Sequence, residues 1–176
     1  MKIVYLLIIF GVIFRIFSNA SGFDFFPPNF APIGALALFG GYFLPRKQGL
    51  IIPMIAMLLS DLVIGFYEPL IMASVYLSFA LINIFGQILG RYKNNAFTLG
   101  GVVLSSFLFF FITNAAVWLD PGSTYPNGLS GLVASLGAGI PFLKFTLVGD
   151  LVFYGLFFGV YELCKGLKVS ERYLLS

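Results

Sequence analysis

Seven side chains combine a polar chemistry that is costly in an apolar chain with a placement that could use it. Arg15, Asp61, Lys144 and Asp150 are ionisable groups carried on long apolar runs. An unpaired charge there costs on the order of several kcal/mol, so such groups face a partner or a water-filled cavity. Two cations and two anions from three runs can pair with one another, fixing register, or hold a zwitterionic or polar ligand between them. Asn114 and Trp118 are four residues apart and share a helix face; an amide above an indole suits hydrogen bonding plus stacking on a planar ring. Trp118 equally fits an anchor at a membrane interface, where Trp is enriched. Asn29 closes the aromatic segment SNASGFDFFPPNF, whose Pro27-Pro28 pair stiffens the approach to the next run.

Two further polar stripes follow the helical repeat. Thr146, Asp150 and Tyr154 make one, and Tyr76, Asn83 and Gln87 another. Asn83 and Gln87 fit interhelical hydrogen bonding better than ligand contact. Small residues recur four apart at Ala31 and Ala35, Ala37 and Gly41, Gly86 and Gly90, and Gly155 and Gly159, which lets helix backbones approach closely.

The elements that position these residues are membrane helices. Of 176 residues 60% are hydrophobic and only 10% charged, with a mean hydropathy of +1.01, whereas a soluble domain carries roughly a quarter charged residues. A span needs about 20 apolar residues, and the apolar runs predict six: 3–17, 31–45, 49–65, 70–90, 97–119 and 141–164. The expected fold is thus all-α, a polytopic membrane protein of six transmembrane helices in one integral domain, 1–176. The second and third runs, divided by Pro45 to Gly49, can also be read as one broken re-entrant pair.

With the N-terminus inside, the inner segments hold Lys2, Arg46, Lys47, Arg91, Lys93, Lys165, Lys168 and Arg172, and the outer loops hold Asp24, Glu68 and Asp120 but no Lys or Arg. The positive-inside rule then puts both termini in the cytoplasm and the chain in the cell's inner membrane. The net charge of +3 is thereby explained by orientation, without nucleic acid. A rival reading makes the first run a signal peptide cleaved after Ser18-Asn19-Ala20. The loop 120–140 predicts turns at Asp120-Pro121-Gly122 and Tyr125-Pro126-Asn127-Gly128, then a short interfacial helix across the outer mouth.

His is absent and Cys164 is the single cysteine, so His-based triads, the familiar zinc sites and an internal disulfide are excluded. No metal or cofactor is expected, and no enzyme activity.

The segments NFAPIGALALFGGYF, LLSDLVIGF, TNAAVWL, YPNGL and AGIPFLKFTLVGDLVF, in that order between Arg15 and Glu162, resemble a family of small bacterial membrane proteins described as transport proteins, itself similar to the substrate-binding S-components of energy-coupling-factor vitamin transporters. That resemblance implies a six-helix S-component bundle with an outward ligand pocket. It also implies a transmembrane coupling subunit and a pair of cytoplasmic ATPases as partners. Two features depart from it. The first helix offers only Gly11 where many S-components carry alanine-x-x-x-alanine for docking, and Cys164 lies at the predicted inner end, away from any pocket cobalt.

The expected function is uptake of a small polar nutrient, a vitamin or cofactor precursor, with Asn29, Asp61, Asn114, Trp118, Lys144 and Asp150 as ligand contacts and Arg15 as ion-pair support. On that reading Asp61→Ala or Asn114→Ala abolishes binding in a folded protein. The alternatives are a structural or accessory subunit of a membrane complex, and a membrane enzyme acting on a lipid or isoprenoid with Asp61 or Asp150 as acid or base.

Overall fold

The computed structural model describes residues 2–20, 26–27, 29–92 and 94–174, with side chains except at 20, 33, 95 and 168–174. Asp24, Pro28, Lys93 and the side chains of Lys168 and Arg172 therefore lie outside the description. Six helices follow in order: α1 (Lys2–Ala20), α2 (Ile33–Phe43), α3 (Arg46–Ile64), α4 (Pro69–Tyr92), α5 (Asn95–Leu119) and α6 (Leu129–Leu174). No strand occurs among the described residues. The chain is an all-α membrane bundle, in which α1, α3, α4, α5 and α6 are each long and apolar enough to span.

The exception is α2. Its 11 residues rise only about 16 Å, half of a hydrocarbon layer about 30 Å thick. Yet the chain passes from the end of α1 to the start of α3, at opposite ends of the bundle. Ahead of α2 the described residues 26–27 and 29–32 are not helical, and the four residues 29–32 alone can reach about 13 Å when extended, most of the rest of the crossing. The second predicted span is thus a half-helix preceded by an irregular segment. Such backbone survives at membrane depth only where protein covers it or a cavity solvates it. The re-entrant alternative is not adopted, because α3 continues for 19 residues to Ile64, and Asp61 near its end meets Arg15 near the end of α1.

Small residues make α2 the central element. Ala35, Ala37, Leu38 and Phe39 are almost wholly buried. Gly41 lies against the Asn83 carbonyl, and Gly86 and Gly90 of α4 lie against the Leu38 and Tyr42 carbonyls. From α4, Asn83 Nδ2 donates to the carbonyls of Ala37 (2.9 Å) and Gly49, and Gln87 Nε2 donates to Asn83 Oδ1 (2.9 Å) and the Arg46 carbonyl (3.2 Å). Together they tie α2, α3 and α4. A core of Val4, Leu7, Ile8, Leu36, Phe39, Phe153 and Phe157 joins α1 and α6 to α2.

Gly41→Ala is expected to destabilise by about 1–3 kcal/mol, since its methyl would press on backbone that cannot turn aside. Gly155→Ala, where a Cβ meets nothing within 4 Å, should hold or gain stability. Thermal unfolding midpoints in detergent check the pair, and equal midpoints would contradict the packing.

The sixth span is the main correction. Residues 129–140 are not a separate interfacial helix over the mouth; they are the first turns of α6, with Pro141 inside a helix of 46 residues. Glycines and serines let these turns run antiparallel to the end of α5. Ser135 Oγ donates to the Asn114 carbonyl (2.9 Å), and Gly131 fits against the Pro126 carbonyl and Trp118. Neighbouring helices re-satisfy the backbone that an interior proline frees, so Pro141 marks no boundary.

Candidate functional site

The irregular residues 26–27 and 29–32 and the N-terminus of α2 enter a hollow among α1, α3, α4, α5 and α6. Asn29 is exposed there with φ 65°, a left-handed conformation that asparagine tolerates better than most residues. Its carbonyl accepts from Ala31 N (3.0 Å), and Phe30 N donates to the Pro27 carbonyl (3.1 Å). Gly149 of α6 lets this backbone pass close by.

Three adjoining chambers meet at Asn29 and Phe109, which line all of them. One of about 310 Å³ is walled by Arg15, Ser18, Asn19, Tyr67 and Phe79. A second of about 410 Å³ is walled by Thr113, Asn114, Tyr125, Gly139 and Phe142. The third, about 60 Å³, runs to Gly34, Thr146 and Asp150. Concave walls, mostly apolar in the second and third chambers and mixed in the first, with a few convergent polar groups and this size, suit a small molecule.

Arg15 and Asp61 form a buried ion pair at the base of the first chamber. Arg15 Nη2 donates to Asp61 Oδ1 at 2.5 Å and Nη1 to Ser60 Oγ, while Tyr76 Oη donates to Asp61 Oδ2 at 2.7 Å. Asp61 is 0% exposed and does not line the chamber; Arg15 does, and its buried Nε has no hydrogen-bond partner among the described residues. Tyr67, in the loop between α3 and α4, has its hydroxyl pushed up to about 12 by burial, with the Asp61 carboxylate adding to the rise and Arg15 opposing it. At neutral pH it is a phenol, able to donate or accept.

Asp150 stands apart from that pair. Its Oδ1 accepts from Ala35 N (3.0 Å) and its Oδ2 from Ser106 Oγ (2.7 Å), so the carboxylate caps the first turn of α2 with favourable charge at a helix N-terminus. Thr146, one turn earlier, lies beside it in the third chamber.

The remaining sequence candidates divide. Asn114 lines the second chamber; its Nδ2 donates to the Phe110 carbonyl (2.8 Å), and its Oδ1 lies against Gly139. Trp118 is outside the lining, and its indole N–H donates to the Pro126 carbonyl (3.1 Å), fastening the turn 120–128. Lys144 is exposed on a different face of α6 from buried Asp150, its Nζ 4.8 Å from the centre of the Phe145 ring, with no carboxylate in ion-pair reach among the described residues. The four intramembrane charges therefore do not converge as one group.

Several wall residues were missed in the sequence. Phe79 and Phe109, ring centres 5.6 Å apart and 21° from parallel, are two among 22 phenylalanines. The Ser105-Ser106 pair in an apolar helix was a readable signal for the Asp150 partner, and Gly34 and Gly139 carried none beyond composition.

Residues 1–172 match the family described as "Family of unknown function (DUF6580)", and the chain belongs to it. No curated protein and no solved structure matches the chain.

Proposed function

We propose that this member of the family of unknown function is the substrate-binding membrane subunit of an uptake system, taking a small polar nutrient such as a vitamin or cofactor precursor from outside the cell. The observation that carries this reading is the irregular segment before α2, which brings Asn29 to the junction of three chambers inside a membrane bundle. A discontinuous helix whose N-terminus points into a cavity is a recurring way to build a transporter site.

Arg46, Lys47, Arg91 and Lys165 sit at the end away from the chambers, and Glu68 and Asp120 at the chamber end. By the positive-inside rule the cavity then opens outward, with both termini in the cytoplasm of a bacterial inner membrane. Asn29, Arg15, Tyr67 and Asn114 orient polar groups of the ligand, and Phe79 and Phe109 contact its apolar part. Transport would need a coupling subunit and ATPases, as in S-component systems. The accessory-subunit and lipid-enzyme readings have no geometric feature of comparable specificity behind them.

Native mass spectrometry of the gently extracted protein tests this, with a retained small molecule as the expected adduct. A protein without such an adduct, and with no binding across a panel of water-soluble vitamins, would overturn it. Trp118→Phe should keep ligand occupancy and lose only the turn's hydrogen bond, about 0.5–1.5 kcal/mol of stability. An adduct that vanishes with Trp118→Phe would return the indole to the site.

A further inference from the structure

The two buried carboxylates are compensated differently. Asp61 has the Arg15 guanidinium; Asp150, 2% exposed, has no cation in reach among the described residues and two neutral donors, Ala35 N–H and Ser106 O–H. The N-terminus of α2 adds the equivalent of about half a positive charge, so the carboxylate's charge is only partly offset. The 60 Å³ chamber ends on this carboxylate, and any side chain at Gly34 would collide with it. That is room for a group of a few heavy atoms, since a water needs about 10–15 Å³ on this measure. Phe79 and Phe109 line the same chamber, and aromatic rings attract cations. At the chamber end the loops 65–68 and 120–128 carry Glu68 and Asp120 and no Lys or Arg, a field that draws cations inward.

We infer that the third chamber is a cation subsite: the ligand carries a protonated amine, amidine or ring nitrogen that sits against Asp150 beside the Phe79 and Phe109 pair, its remainder filling the larger chambers. This rests on the uptake reading. An anionic group is the poorer fit, because Arg15 is already spent on Asp61.

The test uses the full-length protein in a neutral detergent and three probes of one shape, benzylammonium, benzyl alcohol and benzoate, at matched ionic strength. Benzylammonium is expected to raise the unfolding midpoint and to half-saturate at a concentration at least about tenfold lower than the other two, a difference of one decade in affinity. Asp150→Asn, which keeps an acceptor for Ala35 N–H, should erase the preference. Ser106→Ala, which keeps the charge, should preserve the order of the probes. A benzoate response equal to or stronger than that of benzylammonium, no response to benzylammonium, or a preference that survives Asp150→Asn would each overturn the inference. If the Asn variant does not fold, the wild-type ladder and Ser106→Ala decide. A small molecule retained through purification alongside a negative ladder would remove the cation subsite and leave the uptake reading standing.

Discussion

Asp61→Ala is expected to cost about 3–5 kcal/mol and to leave little folded protein in the membrane, because it strands Arg15, 10% exposed at its side chain, without its anion. The loss extends beyond the pair, since Tyr76 Oη and the α3 end also depend on that carboxylate. The expectation from sequence, a folded protein that no longer binds, gives way to a stability effect. Replacing both partners, Arg15→Met with Asp61→Leu, should recover much of the loss, as buried pairs are often replaceable by apolar groups of similar size. Size-exclusion profiles and unfolding midpoints in detergent read both variants. An unchanged midpoint for Asp61→Ala would mean that the pair does not hold α1 to α3.

Asn29→Gly is the second large effect, and it falls on binding. Glycine accepts the φ of 65° without strain, so the variant removes the amide and leaves the backbone path of residues 29–32. Ligand occupancy should fall about tenfold or more, equivalent to about 1.4 kcal/mol, with the unfolding midpoint of the ligand-free protein nearly unchanged. Asn29→Ala should lose the same contact and in addition about 1–2 kcal/mol of stability from the left-handed backbone. Titration of the retained ligand by native mass spectrometry, beside thermal unfolding, separates the two terms. Equal occupancy in wild type and Asn29→Gly would remove Asn29 from the site.

The bundle was readable from sequence because apolar length is a one-dimensional signal. The bounds of α1, α3, α4 and α5 lie within a few residues of the predicted spans. The half-length of α2 was not readable: APIGALALFGG is as apolar as a full span, and only its neighbours show where the helix begins. The predicted sixth span begins at 141, whereas α6 begins at Leu129 and carries Pro141 inside it, since a membrane helix tolerates a proline that would end a soluble one. The charges were found, but their grouping was not. Lys144 and Asp150 are six residues apart, about 600° around a helix of 3.6 residues per turn, so they could not share a face; that part was available in the spacing. Which cation met Asp61 was not, because Arg15 and Asp61 are 46 positions apart and are brought together only by the packing of α1 against α3.

The central claim is that polar groups of separate spans line an outward hollow that water enters. Thr113→Cys and Asn114→Cys, made with Cys164→Ser, place single thiols on the wall of the second chamber, and Phe111→Cys places one on the lipid side of the same helix, where Phe111 is 53% exposed. Labelling intact cells with a membrane-impermeant maleimide should modify the thiols at 113 and 114 and spare that at 111. Protection of 113 and 114 until the membrane is permeabilised, or no reaction at either position, would contradict the account.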